Sequence, residues 1–352
     1  MTKDELKETI AALRKTFGKE ILRDLVYTQT GVPAIPTGSL SVDKATGIGG
    51  IPRGRITEIF GPEGGGKTTM AQHIIAEAQA IGLRTAYIDM EHKFNQNYAA
   101  RCGVDIGPDF LFSQPTNGIA ALKVAQALIS SGKVGLIVID SVDGLTTTAE
   151  MDAEPGDQFP GVRARLVGQA IRRMNPILGE NDTTLLFINQ LRMRIGVMFG
   201  NPETTSAGKS LRYYSSLRLR VSRTVNIPTK NPWGQGVRVM VHKNNCAPPW
   251  REASFIIRFD EGIEKGDDLL TTASKVGVVE QSGANYVYQG ERIAYGKSAA
   301  AAALEGNPEL FGKIRQEVLD EIRKPNAATT SNGVCIEADN GSEDGVDSPS
   351  DS

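Results

Sequence analysis

The stretch RITEIFGPEGGGKTTMAQHIIAEAQAIG (Arg55–Gly82) decides the fold of this chain. It begins with the short apolar run RITEIFG, typical of a β-strand, and continues as a helical pattern that Gly82 ends. Between the two, GPEGGGKT (Gly61–Thr68) fits the phosphate-loop pattern G-x-x-x-x-G-K-[ST] in the strand-to-helix setting that the motif requires. The stretch therefore predicts an α/β fold with a nucleotide-phosphate site at the end of a core strand.

The composition of this loop suits phosphate chemistry. A glycine-rich backbone can curl so that its N–H groups point at phosphate oxygens, and the N-terminus of the following helix adds partial positive charge. The Lys67 ammonium can reach the β- and γ-phosphates of ATP, and the Thr68 hydroxyl can bind Mg²⁺. A chance glycine-rich turn would not need both flanking elements. The expected nucleotide-binding residues are Gly61, Pro62, Glu63, Gly64, Gly65, Gly66, Lys67, Thr68 and Thr69.

Acidic residues follow two further apolar strands. Asp140 ends the run VGLIVID, where a carboxylate can hold Mg²⁺ through water, although a lone aspartate at a strand end is usually a cap. With the phosphate loop present, we expect a metal site at Thr68 and Asp140. Glu91 follows TAYIDM and could activate the water that attacks the γ-phosphate. Asp89 is the near rival for that role, and the residues alone do not choose between them.

Beyond the loop, short apolar runs alternate with helical patterns. Strands are predicted at LRTAYID, LFSQP, VGLIVIDS, TTLLFIN and YYSSLRLRVSR, and helices at KTTMAQHIIAEAQAIG, around Asn95–Cys102 and at GIAALKVAQALISSG. Near-unbroken apolar strands are typical of a parallel sheet that is covered on both faces. The alternation therefore predicts an α/β fold with a mostly parallel central sheet.

The two ends of the chain have a different texture. Apolar residues at helical spacing predict an amphipathic helix over residues 4–22, and an irregular Pro/Gly-rich stretch occupies residues 30–55. Helices predicted over 266–283 and 298–323 flank a strand pair, NYVYQGERI, which indicates a small α+β domain. The predicted division is an N-terminal helix and linker (1–35), a nucleotide-binding core (36–265), a C-terminal domain (266–325) and a disordered acidic tail (326–352).

Composition excludes several classes of protein. With 40% hydrophobic and 23% charged residues over 352 positions, the chain is globular rather than disordered throughout. No run of 18 apolar residues predicts a membrane span, and the first residues lack the apolar centre of a secretory signal. The three cysteines have no C-x-x-C spacing, which argues against a disulfide framework and a zinc site. We therefore expect a cytoplasmic protein with no membrane partner.

Charge is distributed unevenly along the chain. From Pro325 onward there are six acids and no Lys or Arg, and without these acids the formal charge changes from −2 to +4. A mildly basic body with an acidic tail is typical of proteins that handle a polyanion, but a solvated tail without a partner fits the charge equally well.

Several longer stretches carry a more specific signal. They are TGSLSVDKATGIGGIPRGRITEIFGPE, GKTT, YIDMEH, VIDSV and, above all, FINQLRMRIGVMFGNPETT (Phe187–Thr205), a block that generic phosphate-loop ATPases lack. From about residue 1 to 325 the chain resembles the bacterial RecA family of DNA strand-exchange recombinases. The resemblance implies a RecA-like core, ATP and Mg²⁺ as cofactors, single- and double-stranded DNA as partners, and a helical filament of identical copies. It also raises self-cleaving stress-response repressors as candidate partners.

The resemblance implies roles at matching positions. Glu91 matches the catalytic glutamate, and Gln190 matches the glutamine that senses the γ-phosphate and signals to a DNA-binding loop. Tyr98 matches an aromatic residue that stacks on adenine. Lys243 matches one of two lysines that reach a neighbouring protomer's nucleotide. The implied catalytic residues are thus Glu91, Lys67, Gln190 and Lys243.

Two DNA-binding loops are implied, over about 154–161 and 191–207. The residues of these segments agree with that role, because basic side chains surround a glycine-rich loop that also holds apolar residues able to stack among bases. A buried hydrophobic plug is the alternative interpretation of the apolar residues. The expected DNA-binding residues are Arg165, Arg172, Arg192, Arg194, Gly196, Met198, Phe199, Gly200, Asn201, Lys209 and Arg212, with Arg163, Arg173, Arg218 and Arg220 as further basic candidates.

The chain departs from the family pattern at several positions. Gly64 and Gly65 replace two serines of the phosphate loop, and Asn95 replaces an aspartate near the adenine. Pro160 stiffens the first DNA-binding loop. The most serious departure is Asn245, which stands where the family has its second cross-interface lysine. The loss of that cation predicts slower ATP turnover with ATP binding retained.

Three functional hypotheses follow. The leading one is an ATP-dependent recombinase that polymerises on single-stranded DNA and exchanges strands with a homologous duplex. The second is a ring-forming helicase on the same core, which the N-terminal helix and the block MRIGVMFGNPETT disfavour. The third is an accessory factor that binds ATP and DNA but hydrolyses little, for which Asn245 is the best support.

Overall fold

The structure, a computed structural model, describes residues 3–18 and 32–323, except 152, 155–158, 160, 194–202, 207, 229 and 231. Within these residues, no helix combines the length and the apolar character that crossing a bilayer requires. The helices are α1 (Lys3–Phe17), α2 (Leu40–Thr46), α3 (Lys67–Ala80), α4 (Gln96–Arg101), α5 (Gly118–Ser130), α6 (Thr148–Met151), α7 (Val162–Glu180), α8 (Gly208–Tyr214), α9 (Lys265–Val276), α10 (Lys297–Glu305) and α11 (Pro308–Arg323). The strands are β1 (Ala34–Ile35), β2 (Ile51–Pro52), β3 (Ile56–Gly61), β4 (Thr85–Asp89), β5 (Phe110–Ser113), β6 (Leu136–Asp140), β7 (Thr184–Met193), β8 (Glu203–Thr205), β9 (Leu217–Ile227), β10 (Gly234–Asn244), β11 (Glu252–Arg258), β12 (Gly262–Ile263), β13 (Glu280–Ser282), β14 (Asn285–Tyr288) and β15 (Glu291–Tyr295).

A ten-stranded sheet organises the core in the order β12-β11-β10-β9-β3-β7-β6-β4-β5, with β8 paired to β7. The six strands from β9 to β5 are parallel to one another. Strands β10, β11 and β12 extend the sheet in antiparallel fashion. This arrangement confirms the predicted α/β class with a mostly parallel central sheet.

Alternate side chains of the central strands are buried on opposite faces of the sheet. Ile59 and Val138 belong to the hydrophobic cluster that contains the buried side of α3. Ile56 and Ile139 belong to the opposite cluster, with α5 and α7. Because helices cover both faces, most side chains of both sets are apolar, and β6 (LIVID) is an almost unbroken apolar run in the sequence.

The C-terminal elements enclose a hydrophobic cluster of their own. Leu269 of α9 and Ile314 of α11 are fully buried in it, and Leu40 of α2 joins them from the core. A guanidinium nitrogen of Arg315 lies 3.1 Å from a carboxylate oxygen of Glu77 at the end of α3. The small α+β domain therefore packs on α2 and α3, although the predicted domain boundaries stay predictions.

The N-terminal region differs from its prediction in two places. The helix expected over 4–22 ends at Phe17, because Gly18 adopts a left-handed φ of 94° and its N–H donates to the carbonyl of Arg14. The stretch 30–55, expected to be irregular, contains α2 and the short strands β1 and β2. Ser39 begins α2 as an N-cap whose hydroxyl accepts from the N–H of Val42.

The C-terminal helices are shorter than predicted. The helix expected over 266–283 ends at Val276, since Gly277 adopts a φ of 82°, and β13 follows. The helix expected over 298–323 is two helices, because Pro308 cannot continue α10 and instead begins α11. The predicted strand pair is part of a three-stranded sheet, β13-β14-β15.

One basic residue assigned to DNA binding is part of the core instead. The side chains of Arg218 on β9 and Glu58 on β3 are 3% and 0% exposed, and they form an ion pair. Asn189 on β7 donates to the other oxygen of Glu58 at 2.8 Å, and the guanidinium lies 4.4 Å from the centroid of the Phe60 ring. The candidacy of Arg218 for the polyanion groove is therefore wrong, because its charge is needed to compensate a buried carboxylate.

We expect Arg218→Met to lower the free energy of unfolding by about 3–5 kcal/mol, because it leaves the Glu58 charge buried without its cation. Adding Glu58→Gln should recover part of that loss. The measurement is chemical denaturation, with Arg84→Met as the control, since Arg84 and Asp109 form an exposed pair worth about 1 kcal/mol or less. A loss in Arg218→Met no larger than in Arg84→Met would contradict the prediction.

Candidate active site

The predicted site residues converge at the carboxyl ends of four adjacent parallel strands. Gly61, which ends β3, is paired in register with Gln190 of β7. Asp140, which ends β6, is paired with Asp89, which ends β4. Ligand sites of open parallel sheets lie at this edge. The sheet topology therefore places residues from four distant parts of the chain around one phosphate loop.

The phosphate loop has the backbone that its glycines allow. A Cβ atom on Gly61 would lie 1.9 Å from the carbonyl oxygen of Val221 on β9, so only glycine fits there. Gly64 adopts a left-handed φ of 66° with open space around it. A serine at Gly64 would be strained in this conformation, so this departure from the family pattern fits the loop. Helix α3 then begins at Lys67, with its N-terminus toward the loop.

The Lys67 ammonium lies inside the curl of the loop. Its Nζ donates to the carbonyl oxygens of Gly61 at 3.1 Å and Pro62 at 2.7 Å, and the residue is only 8% exposed. Burial lowers the pKa of Lys67, while the nearby charges of Asp140 and Glu91 oppose that shift. A phosphate in the loop would pair with this buried cation and so reduce the cost of its burial.

Thr68 and Asp140 lie in direct contact. The Thr68 hydroxyl donates to Oδ2 of Asp140 at 2.8 Å, and the buried phenol of Tyr87 donates to the same oxygen at 2.6 Å. Burial raises the pKa of Asp140, and the two hydrogen bonds oppose that shift. Burial likewise raises the pKa of Tyr87 well above its ordinary value, so the phenol remains a donor.

The donor set at this point fits magnesium. Mg²⁺ binds through one or two protein oxygens completed by substrate phosphates and water, and a hydroxyl and a carboxylate meet here beside the phosphate loop. Among the residues that the structure describes, no group of three or more His, Cys, Asp or Glu side chains could hold a metal without such help. Thr68 and Asp140 would therefore hold Mg²⁺ together with a nucleotide, rather than in an all-protein cage.

The geometry separates the two rival carboxylates. Asp89 is 2% exposed, and its oxygens accept from the N–H groups of Glu91 and Phe94, both at 3.1 Å, and from the Gln114 amide at 3.0 Å. Its accepting capacity is thus used to hold the β4–α4 connection. Glu91 is half-buried, and among the described residues its Oε2 contacts only the exposed Lys93 ammonium, at 3.3 Å. Of the two, Glu91 is the better placed to accept a proton from water.

Two side chains orient the Glu91 carboxylate. Its Oε1 accepts from the Ser141 hydroxyl at 2.5 Å and from the Gln190 amide at 3.2 Å. Gln190 and Glu91 are 99 positions apart in the sequence, yet their side chains are in contact. By resemblance, Gln190 matches the γ-phosphate sensor and Glu91 the catalytic glutamate. A displacement of Gln190 would disturb Glu91 directly.

Tyr98 and Asn95 lie beside the start of α3. The Tyr98 hydroxyl is 3.0 Å from Oγ1 of Thr69, and burial raises the pKa of this phenol to about 12. The Asn95 side chain accepts from the N–H of Tyr98 and so caps α4. Asparagine serves this cap as well as aspartate does, so the departure at this position preserves the local structure.

Lys243 and Asn245 lie at the end of β10 and just beyond it. The Lys243 ammonium donates to the carbonyl oxygens of Arg212 at 3.1 Å and Tyr213 at 2.8 Å, at the end of α8. Burial lowers the pKa of Lys243. Asn245 is exposed, and its backbone N–H donates to the carbonyl of Ser216. The expectation that Asn245 slows ATP turnover stays a prediction.

Helices α7 and α8 form a packed pair with basic side chains. They approach so closely that a Cβ atom on Gly168 would lie 2.7 Å from Oγ of Ser210. Helix α7 begins directly after the first predicted DNA-binding loop, and α8 begins directly after the second. Five exposed basic residues on this pair, here called the α7–α8 surface, are Arg165, Arg172, Arg173, Lys209 and Arg212.

Arg192 lies at the end of β7 and is 58% exposed, but it is already paired. Its Nε and Nη2 donate to Oδ1 of Asp143 at 3.0 and 2.6 Å, and Asp143 also accepts from the Ser206 hydroxyl and the N–H of Gln190. Arg192 and Ser206 lie at the two ends of the second predicted DNA-binding loop. Asp143 therefore connects both ends of that loop to the backbone of Gln190.

Other sequence predictions have different outcomes. Arg220 pairs with Glu203 at 2.5 Å and Arg163 with Glu150 at 3.4 Å, so both are engaged within the chain. Six predicted DNA-binding residues and Pro160 lie outside the described residues. The six are Arg194, Gly196, Met198, Phe199, Gly200 and Asn201.

Sequence reasoning missed Ser141, Asp143 and Tyr87. Ser141 follows Asp140 directly and Asp143 lies three residues after it, so their proximity to the site could have been expected from the strand end. For Tyr87 the signal was period-two alternation, which puts it on the same face of β4 as Asp89 and opposite Val138 of β6. This alternation indicates a contact between Tyr87 and Asp140 only when it is known that β4 lies next to β6, the strand that ends at Asp140.

Known proteins resemble this chain over most of its length. The RecA N-terminal domain family matches residues 4–264, and the RecA C-terminal domain family matches residues 267–323. A protein named "Protein RecA" from Chloroflexus aggregans is 43% identical over 344 residues, covering 97% of this chain and 96% of the relative. Its counterpart from Syntrophus aciditrophicus is 45% identical over 315 residues, covering 89% and 92%. That from Geobacter sulfurreducens is 44% identical over 314 residues, covering 88% and 93%.

Proposed function

The chain belongs to the RecA family, and from that premise we propose that it is an ATP-dependent DNA recombinase. It forms helical filaments on single-stranded DNA and catalyses homologous pairing and strand exchange in recombinational DNA repair. The observation that carries the proposal is the hydrogen bond between the side chains of Gln190 and Glu91. Gln190 is on β7, the strand that leads into the second predicted DNA-binding loop. This hydrogen bond would link the proposed nucleotide site to the proposed DNA-binding loop within one chain.

The nucleotide site binds ATP with Mg²⁺. The backbone of Gly61–Thr69 and the Lys67 ammonium would hold the phosphates, and Tyr98 would stack on the adenine. Thr68 and Asp140 would hold Mg²⁺, which would neutralise negative charge on the triphosphate. The contacts of Lys67 with the loop carbonyls and of Thr68 with Asp140 support this assignment.

Hydrolysis uses Glu91 as the general base. Ser141 and Gln190 both donate to Oε1, which orients the carboxylate, and Oε2 is left toward the exposed side. Gln190 matches the family's γ-phosphate sensor and would face the γ-phosphate, and Asp143 ties the N–H of Gln190 to Arg192 and Ser206. A movement of Gln190 between nucleotide states would therefore shift both ends of the DNA-binding loop.

DNA binds along the α7–α8 surface and the two loops that precede these helices. Exposed arginines and lysines supply the sequence-independent phosphate contacts that a strand-exchange protein needs. Nucleotide-dependent differences in the position of Gln190 would give the two filament states different affinities for DNA.

Filament contacts involve both the N-terminal helix and Lys243. On α1, Leu6, Leu13 and Phe17 are exposed large hydrophobic residues, 45%, 37% and 65% exposed, at helical spacing. An exposed apolar stripe of this kind is typical of a helix that packs on another protomer. Lys243 could reach a neighbour's nucleotide only after it releases the carbonyls at the end of α8.

A strand-exchange assay tests the proposed function. The full chain, with homologous single-stranded and duplex DNA, should give joint molecules with ATP and with a non-hydrolysable analogue. Release of the protein should require hydrolysis. ATP and DNA binding without joint molecules would instead support the accessory-factor hypothesis, which the match to curated relatives over nearly their full length does not favour.

Arg165→Ala and Arg212→Ala should each weaken single-stranded DNA binding equally for all sequences. The slope of log affinity against log salt should fall by about 0.7 for each phosphate group that the variant no longer neutralises. The control is Arg84→Ala. Arg84 is also an exposed arginine, but it directly precedes β4 and so lies at the amino ends of the parallel strands, away from the site at their carboxyl ends. An unchanged slope in either variant would remove that residue from the DNA path.

A further inference from the structure

Packing alone does not require the hydroxyl group of the buried Tyr87. Its ring lies 4.8 Å from the Phe94 ring and 6.4 Å from the Phe112 ring, centroid to centroid, and the residue is 1% exposed. A phenylalanine would fill the same space among these rings. The hydroxyl group instead serves Asp140, to which it donates at 2.6 Å.

The two oxygens of Asp140 are used unequally. Oδ2 accepts from both Tyr87 and Thr68, whereas no described residue donates a hydrogen bond to Oδ1. A carboxylate oxygen has two lone pairs in its plane, so two donors saturate Oδ2. The torsion of the Asp140 side chain is thereby fixed from two sides, and Oδ1 is the oxygen left over.

The two donors differ in how firmly they are held. Thr68 is on the first turn of α3, directly after the phosphate loop, and its hydroxyl is itself a ligand of Mg²⁺ in the proposed function. Tyr87 lies within β4, which pairs with β6 in register through Asp89 and Asp140. The phenol is therefore held by the sheet, independently of the phosphate loop.

We propose that Tyr87 is a positioning residue for the magnesium site, which occupies Oδ2 of Asp140 and reserves Oδ1 for the metal. Groups that orient a metal-binding carboxylate in this way typically change metal affinity by about 10–100-fold when they are removed. The inference rests on the proposed use of ATP and Mg²⁺, and it adds a residue to the machinery of that site.

The test is Tyr87→Phe in the full chain, with nucleotide binding followed by a fluorescent ATP analogue rather than by turnover. We expect the affinity in EDTA to change less than about twofold, because Tyr87 does not line the phosphate loop. The Mg²⁺ concentration that gives half-maximal tightening of binding should rise about tenfold. The KM for Mg·ATP should rise more than kcat falls.

A matched control removes the same kind of bond elsewhere. Tyr288 donates its hydroxyl to Oε1 of Glu317 at 2.8 Å within the C-terminal domain, and it is 8% exposed. Tyr288→Phe should lower thermal stability about as much as Tyr87→Phe does, with an unchanged Mg²⁺ midpoint. Thermal denaturation without nucleotide establishes that both variants are folded.

Different results would overturn different statements. An unchanged Mg²⁺ midpoint in Tyr87→Phe, with a normal Mg²⁺ dependence in the unaltered chain, would show that the phenol only stabilises the fold, and would leave the proposed function standing. An equal loss of affinity in EDTA and in Mg²⁺ would also overturn the inference. An unaltered chain that binds nucleotide equally well in EDTA and in Mg²⁺ would overturn both the inference and the proposed cofactor.

Discussion

Lys67→Ala should abolish measurable ATP binding and DNA-stimulated hydrolysis while leaving the fold intact. The ammonium is a point charge for the β- and γ-phosphates, and without it the carbonyl oxygens of Gly61 and Pro62 would face the triphosphate with no cation between them. Removing a charged hydrogen-bonding partner from such a site costs about 3 kcal/mol or more, which is at least about a hundredfold in affinity. Nucleotide titration and steady-state turnover with single-stranded DNA would measure the loss.

The same variant should unfold no more easily than the parent chain in the absence of nucleotide. Burial lowers the pKa of Lys67, so the free protein keeps this charge at a cost that alanine removes. Lys133→Ala, an exposed lysine in the turn after α5, is the control for both measurements. Normal turnover in Lys67→Ala would refute the assignment of the phosphate loop.

The parallel strands of the sheet were predictable because the signal, a run of apolar residues, lies within each strand's own sequence. A strand covered on both faces is mostly apolar, so VGLIVIDS and its counterparts stand out from the chain. The antiparallel strands β10 and β11 were missed, since in both of them buried and more exposed residues alternate, which gives a weaker pattern. Helix α7 was missed as well, since it contains Pro176, a residue that disfavours the interior of a helix.

The candidate site was predictable only in part, because its contacts join distant segments. The phosphate loop, Asp140 and Glu91 follow from motif and strand-end position. The choice of Glu91 over Asp89 needed the donors that occupy Asp89, and the burial of Arg218 needed the register of β9 against β3. In the sequence, Arg218 looks like any other arginine near a glycine-rich loop.

Glu91→Gln should still bind ATP and DNA but should hydrolyse ATP about 10²–10⁴-fold more slowly, the usual cost of losing a positioned general base. Glutamine keeps an oxygen that can accept from Ser141 and Gln190, so the hydrogen bonds at Oε1 and the local structure should persist. Joint molecules should therefore still form with ATP, and they should persist because release is slow. Nucleotide affinity, single-turnover hydrolysis and strand exchange on the same preparation would separate binding from chemistry.

Asp89→Asn is the matched comparison, because it also neutralises a carboxylate in the same connection. Its oxygens accept from three donors, so the substitution should lower the free energy of unfolding by about 1–3 kcal/mol. The fraction that stays folded should hydrolyse ATP far faster than Glu91→Gln does. The reverse pattern, with slow hydrolysis in a stable Asp89→Asn and near-normal hydrolysis in Glu91→Gln, would assign the base to Asp89. The Ser141 and Gln190 contacts would then only hold the loop in place.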